Sequence, residues 1–310
     1  MTKHRLHSLA IVTLFIVAVP WQYSAGQTTA QRNDHEATGS VDPVRTPATT
    51  KTYEFRSIDV PGAFWSLVYD YNGTIAVGAS YDTPTSSASA FFFKSNVYKA
   101  IKPASSATDS FAFGVNKSGQ IVGFYIDALD TVHGFISDGT DTSTFDYPGA
   151  TGTTMLGIND SGDIAGGFSK GGNSDGFLYN KSKNTFTTIS YPSATETHAY
   201  SVNSSDVVVG WYMDTGGHEH GFVWNSGSYS SLDYPGASWT NILGINNSGL
   251  IAGTYQSGGF PHGFLFDGKT YTAVDVPDGT ETTLSKVNNN KNVAGIVSDS
   301  FGNYHGVIGH

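Results

Sequence analysis

The chain is 310 residues long, with 37 glycines, 17 tyrosines and 19 phenylalanines, but only 14% charged residues and no cysteine. Glycine, aromatics and sparse charge suit short strands joined by tight turns, and they exclude a coiled coil, a helical bundle or an acidic disordered chain. Sixteen basic against 26 acidic residues give a net charge of −10, which leaves no basic footprint for nucleic acid or an anionic lipid surface.

Residues 1–26 are expected to be a signal peptide. They have a basic start at Lys3 and Arg5, an apolar stretch from Leu9 to Val19 and a small-residue exit at Ser24-Ala25-Gly26, the three parts of a secretory signal. The apolar stretch is shorter than the roughly 20 residues that a membrane-spanning helix needs, and no other segment reads as an integral membrane span. An exported chain without cysteine has no disulfide to support it. Residues 27–50 are rich in Gln, Thr, Ala, Arg, Asp, Glu and Pro in no periodic order, and read as a disordered linker.

From residue 51 onward the chain repeats itself. One station is marked by proline at 61, 103, 148, 192, 235 and 277, at intervals of 42, 45, 44, 43 and 42. A second has the form Asn-x-x-Gly-x-hydrophobic-x-Gly, clearest at Asn159 to Gly166 and Asn246 to Gly253. The third is His133-Gly134-Phe135, His220-Gly221-Phe222 and His262-Gly263-Phe264, with Asp175-Gly176-Phe177 and His305-Gly306-Val307 as variants. This makes six copies of about 43 residues. Each holds four strand-like runs, a to d; in the fifth copy they are 241–246, 250–255, 263–266 and 271–276. Asn-x-x-Gly suits the a–b hairpin, where glycine supplies positive φ, and proline ends strand d. The fold expected is all-β: a six-bladed β-propeller of four-stranded blades. Its first d-type strand, 53–60, precedes any a strand, and the last copy ends at c, so 53–60 is expected to complete the last blade and close the ring.

The second and third stations resemble those of the HAF family of extracellular repeat proteins. The nearest local matches are Gly244 to Gly253 and His220-Gly221-Phe222-Val223-Trp224, with Gly where that family has Ala after the histidine. The resemblance covers residues 53–310 and implies export and a propeller; it brings no established activity.

Residues that recur in every copy read as scaffold. The station histidines are expected to make structural hydrogen bonds, and Asp59, Asp146, Asp233 and Asp275 to protect an edge or close a turn. Asn159 to Asp163 reads as a turn rather than a calcium loop. The Asn-x-Ser/Thr triplets at Asn72, Asn116, Asn180, Asn203 and Asn246 are attributed mostly to the same hairpin chemistry. Function is expected where copies differ, on the face where the d–a and b–c connections emerge. The ligand-binding residues expected there are Trp65, Glu196, His198, Trp211, Asp214, His218, Glu219 and Trp239, because aromatics beside carboxylates are the makings of a sugar-binding surface. Blade packing is the competing reading for Trp211 and Tyr212.

The function expected is a secreted, monomeric binding or scaffold module for a glycan or an extracellular protein, without a cofactor. One alternative is a glycan-processing hydrolase or lyase using Glu196, His198 and Glu219. The other is a metal-stabilised propeller, with His198, His218 and Glu219 or channel carboxylates as ligands.

Overall fold

The computed structural model describes residues 53–310; the expected signal peptide and linker lie outside the described residues. Every regular element in this region is a β-strand, and no helix in it is long and apolar enough to cross a membrane. After β1 (Phe55–Ser57), the strands follow one antiparallel pattern in sequence order. β2 (Trp65–Tyr71), β3 (Ile75–Tyr81), β4 (Ala88–Lys94) and β5 (Val97–Ala100) form one sheet. β6 (Ala107–Val115), β7 (Ile121–Asp127), β8 (Val132–Ser137) and β9 (Thr142–Thr144) form the next. Then come β10 (Gly152–Ile158), β11 (Ile164–Lys170), β12 (Asn173–Asn180) and β13 (Thr185–Ile189). β14 (Glu196–Val202), β15 (Val208–Met213), β16 (Glu219–Asn225) and β17 (Ser228–Ser231) follow, tied to the preceding group by one parallel pairing of Ser174 with Glu196. β18 (Thr240–Ile245), β19 (Ile251–Ser257), β20 (Phe260–Phe266) and β21 (Tyr271–Ala273) make a further sheet. The last, β22 (Glu281–Val287), β23 (Val293–Ser298) and β24 (Tyr304–Gly309), takes β1 as its fourth strand.

β1 is shorter than the 53–60 run read from sequence, but its backbone bonding extends beyond it. Phe55, Arg56 and Ser57 pair with Gly309, Ile308 and Val307. Glu54 and His310 exchange bonds of 3.2 and 3.3 Å, and Ile58 donates to the Gly306 carbonyl at 2.7 Å. In the fifth copy, β21 likewise stops at Ala273 rather than 276. There Asp275 turns its side chain back onto the third strand: Oδ1 accepts the Gly263 N–H at 3.1 Å and Oδ2 meets His262 Nδ1 at 3.0 Å.

That arrangement recurs and explains the histidine and aspartate stations together. His133 meets Asp146 at 2.8 Å, His220 meets Asp233 at 2.9 Å, and His305 meets Asp59 at 3.2 Å across the chain ends. The aspartates therefore hold the third strand, a role more specific than the edge protection or turn bond expected of them. A second carboxylate, Asp214, stands 3.5 Å from His220 Nε2. Burial alone would lower the His220 pKa, but Asp233 and Asp214 together raise it above the ordinary 6.5. The stabilisation is fully present below about pH 6.5 and is lost as pH rises through the raised value. Asp214 is held down to about 2, first by the backbone N–H of His218, so its contribution is lost only in strong acid. Melting temperatures across pH 5–9 should show His220→Asn costing most at the acid end and converging on the native protein at the alkaline end. A pH-independent difference would dismiss the ion pair.

The asparagine station does more than turn the a–b hairpin. Asn159 Oδ1 accepts the N–H groups of Ser161 and Asp163, both at 2.9 Å, while its Nδ2 donates to the Asn203 carbonyl at 3.1 Å in the next group of strands. Asn72 donates to the Asn116 carbonyl, Asn116 to that of Asn159, Asn203 to that of Asn246, and Asn246 to that of Asn288. Asn288 then donates to the Tyr71 carbonyl at 3.4 Å, bringing the last sheet to the first. Those amides are committed to the frame, which accounts for four of the five Asn-x-Ser/Thr triplets without glycosylation.

Glycine fixes how closely strands approach. Each first strand has a bulge three residues before its asparagine, for example between Ala199 and Ser201 opposite Gly210. A Cβ on Gly210 would strike the His198 carbonyl and come within 3.0 Å of the Phe222 ring. Phe135, Phe177, Phe222 and Phe264 are all fully buried at this spot in their own sheets, so the glycine of the second station seats the phenylalanine of the third. The glycine of the third station receives the neighbouring sheet: a Cβ on Gly221 would lie 2.7 Å from Ile242, and one on Gly306, which precedes Val307, would be 3.0 Å from the Val68 backbone.

Candidate functional site

The d–a connections bond to the ends of the second strands: Thr195 donates to Met213 at 2.9 Å and Thr280 to Ser298 at 2.8 Å. The two kinds of connection thus emerge at one end, as expected. Much of this variable region is still frame. Thr153, Thr197, Thr240 and Thr282, all buried, accept the N–H of Tyr147, Tyr191, Tyr234 and Val276 through their hydroxyls at 2.9–3.0 Å. What varies is the residue just before this hydroxyl: Trp65, Asp109, Gly152, Glu196, Trp239 and Glu281. This end also carries the exposed apolar side chains Phe64, Leu129, Phe260 and Phe301.

The eight expected site residues separate into three groups. Glu196, His198 and Trp211 come together, and Glu219 sits two strands away from Glu196. Glu196 Oε2 lies 3.2 Å from His198 Nε2, and that bond holds the Glu196 carboxyl below its ordinary range despite partial burial. His198 is 1% exposed and stacks on Trp211, 4% exposed, with ring centroids 4.1 Å apart. Trp211 is therefore a buried wall rather than an open rim aromatic, and Tyr212 is frame, stacked on Tyr191 at 3.6 Å. Glu219 faces Glu196 across Met213 in the ladder, and its Oε2 accepts Asn241 Nδ2 at 2.9 Å.

Asp214 and His218 form the second group, at the β15–β16 turn. Asp214 Oδ1 accepts the N–H of Gly216 and His218 at 2.8 and 2.9 Å, so this carboxylate shapes its turn, while His218 is exposed. Trp65 and Trp239 make the third group: they occupy the same step on β2 and just before β18, in separate sheets. His198, His218 and Glu219 each engage a different partner and are not assembled around one point. Among the described residues, no group of three or more His, Asp or Glu is arranged to hold a metal ion.

Tyrosines that sequence reading did not single out surround Trp65 and fill the bulges of the first strands. The Trp65 ring lies 5.4 Å from Tyr304 and 6.1 Å from Tyr81. Tyr69, the bulge residue of β2, stacks on Phe113 at 4.1 Å. Burial pushes the Tyr69 phenol well above 10, and Tyr81 and Tyr200 add to the rise. Tyr200 is bonded to Trp211 and feels Glu219. Tyr304, pushed up to about 12 first by burial, feels Glu281, and burial also raises the Glu281 carboxyl. The contacts form two separate patches, one of Tyr304, Trp65 and Tyr81 and one of Glu219 with Asn241. The signal was a bulky aromatic at the third residue before the asparagine, legible only once that residue is known to be a bulge.

Trp65 Nε1 and Tyr69 Oη on β2 and Asn241 Oδ1 on β18 are buried polar atoms without a hydrogen-bond partner. Buried polar groups are nearly always paired. The hairpin end differs. It has a cavity of about 210 Å³ lined by Asn72, Asn116, Asn159, Asn246 and Asn288, whose amides the frame already uses. Below them, Lys286 Nζ stands 2.8 Å from Ser201 Oγ and 3.6 Å from Asp70. Burial pushes the Asp70 carboxyl up, while Lys286 and the N–H groups of Val115 and Tyr71 oppose that rise.

No family model matches the chain, and no curated protein matches it in sequence. Solved structures do. An arginine-to-alanine triple mutant of AofleA from Arthrobotrys oligospora aligns over 84% of this chain and 87% of its own, at 11% identity and a TM-score of 0.52. TolB from Acinetobacter baumannii aligns over 77% of this chain and 64% of its own, at 13% identity and 0.51. The β-propeller domain of the Trilobed protease from Pyrococcus furiosus aligns over 77% and 79%, at 9% identity and 0.49. With its repeated four-stranded sheets, the described chain has the fold of a β-propeller.

Proposed function

We propose that this chain is an exported, monomeric binding module, a six-bladed propeller closed by residues 53–60, which holds a glycan at the end of its axis bearing Trp65 and Glu196. Closure is supported by the β1–β24 ladder, the Asn288–Tyr71 bond and the Lys286–Asp70 pair. Export rests on the signal-like residues 1–26 and on the resemblance of the repeat stations to HAF repeats.

The observation that carries the binding reading is the set of partnerless buried atoms. Trp65 Nε1 is a donor, Asn241 Oδ1 an acceptor and Tyr69 Oη either one. Leaving such groups unpaired costs about 1–3 kcal/mol each, a cost that a ligand rich in hydroxyls would offset. The neighbouring rings Trp65, Tyr81 and Tyr304 supply flat apolar faces of the kind that pack against sugar rings.

The test is a glycan array probed with purified residues 27–310, native and Trp65→Ala, followed by product analysis on any retained polysaccharide. Retention by the native protein and loss of at least about tenfold in affinity for Trp65→Ala, with an unchanged melting temperature, is the expected result. Equal retention by both proteins would remove the site from this end; cleavage of the retained polymer would convert the binding module into an enzyme.

A further inference from the structure

The hairpin end, opposite Trp65 and Glu196, carries a second cavity, of about 320 Å³. The β2–β3 turn lines it with Asn72 to Thr74, and the β6–β7 turn with Lys117 to Gly119. Its charged side chains are Lys117 and Lys94, the latter from the end of β4, and no carboxylate among the described residues lines it. That composition stands out in a chain with 26 acidic against 16 basic residues. Neither lysine is paired: among the described residues, the one ion pair made by a lysine or arginine is that of Lys286 with Asp70. The cavity at the asparagine ring shares Asn72, Lys117 and Asn290 with this one. Its two carboxylates are already engaged. Asp70 accepts the N–H groups of Tyr71 and Val115 at 2.7 and 3.0 Å, and Asp160 that of Lys117 at 3.0 Å. Asn290 brings a neutral donor from the neighbouring sheet, since a Cβ on Gly73 would lie 3.8 Å from its Nδ2.

We propose that this cavity binds a phosphate or sulfate group, its oxygens held by the ammonium groups of Lys94 and Lys117 and by the Asn290 amide. Two like charges on one cavity wall repel each other, and an anion in the cavity relieves that repulsion. A carboxylate offers one charge to two lysines, whereas a tetrahedral dianion offers two and has an oxygen for each donor. The chain as a whole, at −10, repels anions, so retention of one has to come from a local site. The proposal is independent of the glycan reading, which concerns the other end of the strands.

Calorimetric titration of residues 27–310 with sodium sulfate and with sodium phosphate, against sodium chloride at equal ionic strength, tests this. Sulfate and phosphate should bind saturably where chloride does not. Lys94→Gln and Lys117→Gln together should weaken that binding at least about tenfold. Both residues are exposed, so the melting temperature should not change. Lys269→Gln, at the β20–β21 turn of the same end and outside the cavity, should bind as the native protein does. Dextran sulfate, with plain dextran as the blank, distinguishes a free anion from one carried on a polymer. Tighter binding per sulfate group than inorganic sulfate assigns the site to a carried group, and equal or weaker binding assigns it to the free ion. No saturable binding of any of these anions overturns the proposal. So does binding that the double variant retains, or that Lys269→Gln weakens as much, because diffuse surface charge would do that.

Discussion

A chain that begins at residue 60 is expected to lose its soluble folded state. The deletion removes β1, whose ladder with β24 runs from Glu54 to Ile58. It also removes Tyr53 and Ile58, which are 6% and 1% exposed and pack in different apolar clusters, against Leu265, Leu284 and Val293 and against Val68, Phe91 and Ile308. Burial of two such side chains is worth about 3–6 kcal/mol, before the strand's backbone bonds are counted, against a typical total stability of about 5–15 kcal/mol. What remains exposes β24 as an open edge, a template for pairing between molecules. Gel filtration should show aggregates where residues 27–310 elute as a monomer, and urea unfolding should lose its cooperative transition. A synthetic peptide of residues 51–60 added in trans should restore part of the monomer. A truncated chain that unfolds at the same urea concentration as the native protein would sink the idea that this strand fastens the last sheet.

That role of β1 was legible because a d-type run, 53–60, stands before Trp65, ahead of any first strand. The strand units and the recurrence of the histidines could also be read, since hairpin glycines and strand-ending prolines act within a few residues. The roles of the asparagines and aspartates were less visible. A single copy looks the same whether Asn159 serves its own turn or also bonds Asn203, 44 residues away. The candidate site was partly legible. Glu196, His198 and Trp211 do meet, and of the two readings open for Trp211, rim ligand surface and blade packing, its burial fits the second. Tyr69 and Tyr200 escaped notice because the alternation of strand residues assigns them to no face. A bulge shifts the register there, and no local signal announces it except the glycine on the opposite strand.

The same glycine provides the sharpest test of the frame. Gly210→Ala is expected to destabilise the protein by about 3 kcal/mol or more. Its Cβ would run into the His198 carbonyl, with the carbonyl carbon only 2.9 Å away and the Phe222 ring at 3.0 Å. Neither neighbour can give way cheaply: one is backbone held in a bulged ladder, and the other is a fully buried ring. Gly152→Ala is the control. It lies at the same end of the molecule, its nearest neighbour would be the Val132 Cβ at 3.6 Å, and its φ is not in the left-handed region. Alanine there should change stability by less than about 0.5 kcal/mol, or raise it slightly by restricting the unfolded chain. Urea midpoints of the two variants measure the difference. The consequence extends to the site, because pushing the His198 backbone displaces the imidazole from Trp211 and from Glu196, to which it is bonded at 3.2 Å. Gly210→Ala should therefore weaken ligand retention even where the protein remains folded, while Gly152→Ala should not. Equal urea midpoints for the two variants would mean that the close approach at Gly210 relaxes without cost, and that the second-station glycines are retained for some other reason.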